Sequence, residues 1–87
     1  MPRYYFDFRD GDNLSFDDEG MELSSIASVQ EEAAKTLAEM ARDAVRSSKY
    51  DGSNNRRMSV DVRNDAGLVL QVKFTFEVAR YVPRLIA

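Results

Sequence analysis

Residues 58–76 read MSVDVRNDAGLVLQVKFTF, and the fold turns on them. Met58, Val60 and Val62 alternate with Ser59, Asp61 and Arg63. Leu68, Leu70, Val72, Phe74 and Phe76 alternate with Val69, Gln71, Lys73 and Thr75. Side chains along a strand face opposite sides in turn, so each run predicts a strand with one buried face. Asn64-Asp65-Ala66-Gly67 between them has tight-turn chemistry, because Gly accepts positive φ and Asn and Asp cap turns. The stretch therefore reads as a β-hairpin, and its second strand has the strongest strand signal in the chain.

Upstream, Ser47 to Arg57 is polar around Asp51-Gly52-Ser53-Asn54-Asn55 and reads as a loop. Before it, apolar residues recur at Ile26, Val29, Ala33, Leu37, Met40, Ala41, Ala44 and Val45. Steps of three and four keep one helical face apolar. Ser24, Ser25 and Ser28 are candidate N-caps, the last as a capping box with Glu31. Glu31 and Glu32 near the start and Arg42 and Arg46 near the end suit the helix dipole. The spacing predicts a helix of about twenty residues, with Ala on its buried side allowing close approach to a sheet.

At the N-terminal end, Tyr4, Phe6 and Phe8 alternate with Tyr5, Asp7 and Arg9. Asp10-Gly11-Asp12-Asn13 can turn the chain, and Leu14 and Phe16 resume the alternation. Asp17-Asp18-Glu19-Gly20 ends this second strand, with an extension through Met21 to Leu23 left open. At the other end, residues 78–87 carry Tyr81, Val82, Leu85 and Ile86, with Pro83 breaking any regular element.

The predicted order is β-β-α-β-β: a single α+β domain over residues 1–77 and a C-terminal tail over 78–87. The expected architecture is a mostly antiparallel four-stranded sheet with one long helix packed on one face. Phe6, Phe8, Leu14, Phe16, Val60, Val62, Leu70, Val72 and Phe74 are expected to meet Ile26, Val29, Leu37, Met40 and Ala41. The other sheet face then carries Tyr5, Asp7, Arg9, Asp61, Arg63, Gln71 and Lys73 in solvent. Strand order stays open at this point.

The chain has 87 residues, which at ~100–200 residues per domain means one domain. It is 44% hydrophobic and 31% charged, a globular rather than disordered balance. It has no His, Cys or Trp. Disulfides, thiolate nucleophiles, imidazole bases and Cys or His metal ligands are thereby excluded. No apolar run approaches the ~20 residues of a membrane span, and the opening MPRYYFDFRD lacks a signal-like apolar core. A cytoplasmic location is the expectation. The net charge of −3 is uneven: residues 1–32 balance to −7 and residues 33–87 to +4. Solvated charge on both halves explains this, and so does a bipolar surface that favours association.

The combination Met1-Pro2-Arg3-Tyr4-Tyr5-Phe6, Arg9-Asp10-Gly11-Asp12 and Asp17-Asp18-Glu19-Gly20 is distinctive, as are the Ala-rich helix and Asp65-Ala66-Gly67 with Val69-Leu70, Val72 and Phe74. Over residues 1–76 the chain resembles a family of short, uncharacterised alphaproteobacterial proteins of rhizobial type. That family is a domain of unknown function whose members open M-P-R-Y-[FY]-F. The resemblance implies a bacterial, cytosolic protein and supplies no activity, cofactor or catalytic residue. Members often have His at the place of Asp7, so chemistry based on that His is excluded here.

Four candidate sites follow from the residues. Asp10, Asp12, Asp17, Asp18 and Glu19 are oxygen ligands, but an EF-hand loop starting at Asp10 fails at Leu14 and Ser15. Turn chemistry is the stronger reading, and no metal or other cofactor is expected. A catalytic carboxylate pair needs a cleft that one helix on a small sheet hardly builds, so no enzyme is expected. Arg56, Arg57, Arg63 and Lys73 offer a basic surface for nucleic acid, against which stand the pI near 4.8 and the acids Asp7 and Asp61 on the same face. Tyr81, Val82, Leu85 and Ile86 either fold back on the core or dock on another chain. The leading expectation is a small non-catalytic interaction or regulatory module, binding a protein partner or itself, with no role for a membrane. The alternative is a weak nucleic-acid binder on the basic face.

Overall fold

A computed structural model describes residues 1–46, 55–77 and 81 of the chain. Six elements follow in order: β1 (Arg3–Asp10), β2 (Asn13–Ser15), β3 (Met21–Glu22), α1 (Ile26–Arg46), β4 (Asn55–Asn64) and β5 (Gly67–Glu77). The fold is α+β, with the helix packed against an antiparallel sheet. The sheet has five strands rather than four. Its order is β2-β1-β4-β5, and β3 pairs separately with the start of β1. The residues after Gly20 thus return to β1 as a strand of their own instead of extending β2.

The two hairpins join through β1 and β4, with Phe6 opposite Val62 and Phe8 opposite Val60. The first hairpin turns at Gly11-Asp12. Gly11 has φ of +61° while no residue other than glycine has positive φ among those described, the signature of a type II′ turn. The second turns at Asp65-Ala66, where the Asn64 Oδ1 accepts the Ala66 N–H at 2.8 Å. Of the three candidate caps, Ser25 serves: its Oγ accepts the Ser28 N–H at 3.1 Å, so the helix opens at Ile26.

The core is Val29, Ala33, Leu37 and Ala41 of α1 against Tyr4, Met58, Val60 and Val62. Phe6, Phe8, Leu70, Val72 and Phe74 pack partly against it. Of the expected core residues, Leu14 is half-buried but outside this cluster, and three others are exposed. Phe16 falls beyond the end of β2 and is 71% exposed. Ile26 is the first helical residue, and Met40 stands off the narrow 29-33-37-41 stripe; both are exposed. A bulge beside Val62 and Arg63 makes a further correction. Leu70 opposes Val62 while Leu68 opposes Arg63, so β5 holds Val69 as an extra residue. The extra residue reverses parity. Leu68 is left 70% exposed and Val69 packs toward the core.

The polar segment expected over Ser47 to Arg57 ends sooner, because β4 already begins at Asn55. Residues 47–54 lie outside the described residues. Among the described residues no helix is long and apolar enough to cross a membrane.

Candidate functional site

The sheet face away from α1 carries two polar arrangements, both set by the β1–β4 register. Tyr5 opposes Arg63, Asp7 opposes Asp61 and Arg9 opposes Ser59. Two carboxylates face each other at Asp7 and Asp61, which is unfavourable between adjacent strands. Each has its own compensation. Asp61 accepts a hydrogen bond from the Gln71 side-chain amide at 2.6 Å and lies 3.9 Å from Arg9. Asp7 accepts from Arg63 Nε at 2.8 Å and from the Asp17 N–H at 3.0 Å.

Asp7 was expected in solvent and is only 5% exposed. The 16–20 segment covers it. β1 is paired on its outer side by β3 at Arg3 and Tyr4 and by β2 from Phe8 onward. Between them Asp17 stands in for a missing strand: its Oδ2 accepts the Phe6 N–H at 3.1 Å. Its Oδ1 accepts the N–H groups of Glu19 and Gly20 at 3.1 and 3.2 Å. Arg63 closes the arrangement by donating to the Asp17 carbonyl at 2.9 Å and lying 4.5 Å above the Tyr5 ring. Burial pushes the Asp17 carboxyl up, but the three N–H groups and Arg63 outweigh it and hold it below the ordinary 3.8. Every carboxylate oxygen of Asp7 and Asp17 is thus engaged by the protein itself, and the arrangement latches the 16–20 segment onto β1.

The other acids of the metal candidate disperse. Asp10 pairs with Arg56 at 2.7 Å. Among the described residues no three acidic side chains converge on a common point.

The four basic candidates also separate. Arg56 and Arg57 are consecutive strand residues and so face opposite ways. Arg56 goes to Asp10 and Arg63 to the latch. Arg57 and Lys73 do come together, joined by Arg9, which the alternation alone places among solvated charges. They line an open concavity of about 410 Å³ with Ser59, Thr75 and Gln71. Arg9 could be recruited only once β1 was known to lie beside β4. Of the tail candidates, Tyr81 is 89% exposed. Val82, Leu85 and Ile86 lie outside the described residues.

Residues 3–75 match the family model described as Domain of unknown function (DUF6894). The match runs from the first residue of β1 nearly to the end of β5. The chain belongs to the DUF6894 family. Comparison with curated proteins and with solved structures gives no match. In this DUF6894 domain the cationic concavity and the Asp17 latch both lie on the sheet face away from α1.

Proposed function

We propose that this domain is a non-catalytic protein-interaction module of the bacterial cytoplasm whose partner is a second copy of the same chain. One observation carries the reading: β5 lies at the edge of the sheet, and among the described residues no strand pairs with its outer side. It is the longest strand, with 11 residues and no proline. Over residues 68–75 the outer side of β5 offers N–H and C=O groups to which no strand is paired among the described residues, and such an edge invites strand addition.

The opposite edge is blunted. It consists of β2 and β3, three and two residues long, with the Asp17 segment between them. A chain with one open edge and one blunted edge forms a closed two-fold dimer when the open edges pair, and leaves no template for further growth. Antiparallel pairing centred on Val72 sets Lys73 opposite the partner's Gln71, so like charges do not meet. It also sets Leu70 opposite the partner's Phe74. Beside the edge, a groove of about 390 Å³ between α1 and β5, lined by Ala38, Ala41, Phe74 and Phe76 with Arg42 and Arg46, gains a cover in such a dimer.

Sedimentation equilibrium over a range of concentrations tests this. The expected result is a reversible monomer–dimer equilibrium. Consecutive strand N–H groups point to opposite sides. Of Gln71→Pro and Val72→Pro, one therefore removes an outward donor and the other a bond to β4. The outward variant should keep the circular dichroism spectrum of the parent and sediment as a monomer. A parent chain that stays monomeric at every concentration would end the proposal.

A further inference from the structure

We propose that the concavity on the open sheet face is a binding site for a phosphate monoester. The register places Arg9, Ser59 and Lys73 in one row across β1, β4 and β5, with Arg57 and Thr75 in the next row. Adjacent strands lie ~4.8 Å apart, so Arg9 and Lys73 start about 10 Å from each other and flank Ser59. Arg57 is two residues along the same strand as Ser59 and rises from the same face. Three long cationic side chains thus surround one small hydroxyl residue that is itself buried. An anion above Ser59 is within reach of all three.

The charges there are weakly compensated. Among the described residues neither Arg57 nor Lys73 has an ion-pair partner, and Arg9 touches Asp61 only at 3.9 Å. Asp12 also lines the concavity and opposes an anion. The three cations and one acid of the lining leave a formal charge of +2, or +1 with Asp61 beside Arg9 counted, in a chain whose net charge is −3. A compact anion suits that local excess. Arginine adds the planar donor fork that suits phosphate oxygens, and the Thr75 hydroxyl supplies a neutral donor.

The same geometry argues against a nucleic-acid strand. Single-strand binders stack bases on exposed aromatic faces. The nearest outer-face aromatic along β1 is Tyr5, whose ring is already covered by Arg63. A long polyanion would also meet Asp12 and the acidic segment beyond it. A cavity of about 410 Å³ suits a small ligand or one phosphorylated side chain.

The test is amide NMR of the full ¹⁵N-labelled chain titrated separately with inorganic phosphate, O-phosphoserine, AMP, adenosine and oligouridylate. The three phosphate compounds should shift the amides of Arg9, Arg57, Ser59, Lys73 and Thr75, and adenosine should not. Stronger binding of AMP than of O-phosphoserine would point to a nucleotide source, and the reverse to a phosphorylated protein. Arg57→Gln and Lys73→Gln alter exposed side chains and should each weaken binding about tenfold with the fold intact. Absence of shifts with every phosphate compound overturns the proposal. So do shifts that survive both substitutions, or oligouridylate binding with the monoesters silent.

Discussion

At Asp17 three backbone N–H groups end on one carboxylate, and a gap in the sheet edge is closed without a strand. The folded pKa lies below the ordinary 3.8, so the charged form is the one the fold stabilises. Its contribution is complete above the unfolded pKa and is lost as pH falls through the depressed folded value. Urea unfolding should therefore show a loss of stability below about pH 4 that is shallower in Asp17→Asn. Identical slopes in the two proteins would show that Asp17 is not linked to folding. Gly20 belongs to the same latch. Its φ is +72°, and a Cβ there would meet Arg3 Cγ and Tyr5 Cε1 at 2.9 Å and the Tyr4 carbonyl at 3.0 Å. Gly20→Ala should cost about 1–3 kcal/mol. Gly11→Ala, with φ of +61° but open space, should cost about 1 kcal/mol. Equal midpoints for the two in urea would mean that the close contacts at Gly20 are relieved without cost. The sequence offers Asp17 to Gly20 as turn chemistry, with its acids as candidate metal ligands, and gives no sign that Asp17 caps the β1 edge. Its acceptor role depends on a gap between two strands paired to β1, and no local pattern encodes that gap.

The elements themselves were legible because their periods are clean. α1 follows from steps of three and four ending before the polar segment, and β5 from alternation over its length. What the period could not give is where it slips. One extra residue at Val69 sends Leu68 to the outer face, although the alternation alone puts Leu68 inward. Likewise Phe16 continues the pattern of Leu14, but β2 stops at Ser15 and the ring stays exposed. The helix start was open among three serines and is decided by a single bond to the Ser25 hydroxyl. Ser25→Ala should lower stability by about 1 kcal/mol, while Ser24→Ala should leave it nearly unchanged. Thermal midpoints of the two variants check the assignment, and a larger loss at Ser24 would move the cap.

Across the whole molecule, burial is concentrated where β4 lies between β1 and β5 under α1. Met58, Val60 and Val62 are the strand residues most completely enclosed. Met58→Ala should cost about 2–5 kcal/mol, and Phe16→Ser close to nothing, despite the larger side chain removed. The alternation puts Phe16 in the expected core and leaves Met58 out of it, because size and apolarity are local properties while enclosure depends on strand order. The same order makes β4 a central strand and β5 an edge. Amide hydrogen exchange reads the difference directly. The central β4 amides should be the slowest in the molecule at any concentration, since only global unfolding opens them. Along β5 the amides that donate to β4 should be protected, and their neighbours, facing outward, should exchange fast in dilute solution. If the free edge is the interface of a dimer, those alternate amides gain protection as concentration rises, and the β4 amides do not respond as sharply. If the outward amides stay fast at every concentration, the edge is not paired by a second copy. Alternation of fast and slow amides would persist in that case, because it follows from the position of β5 in the sheet alone. The experiment therefore separates the architecture from the use made of it.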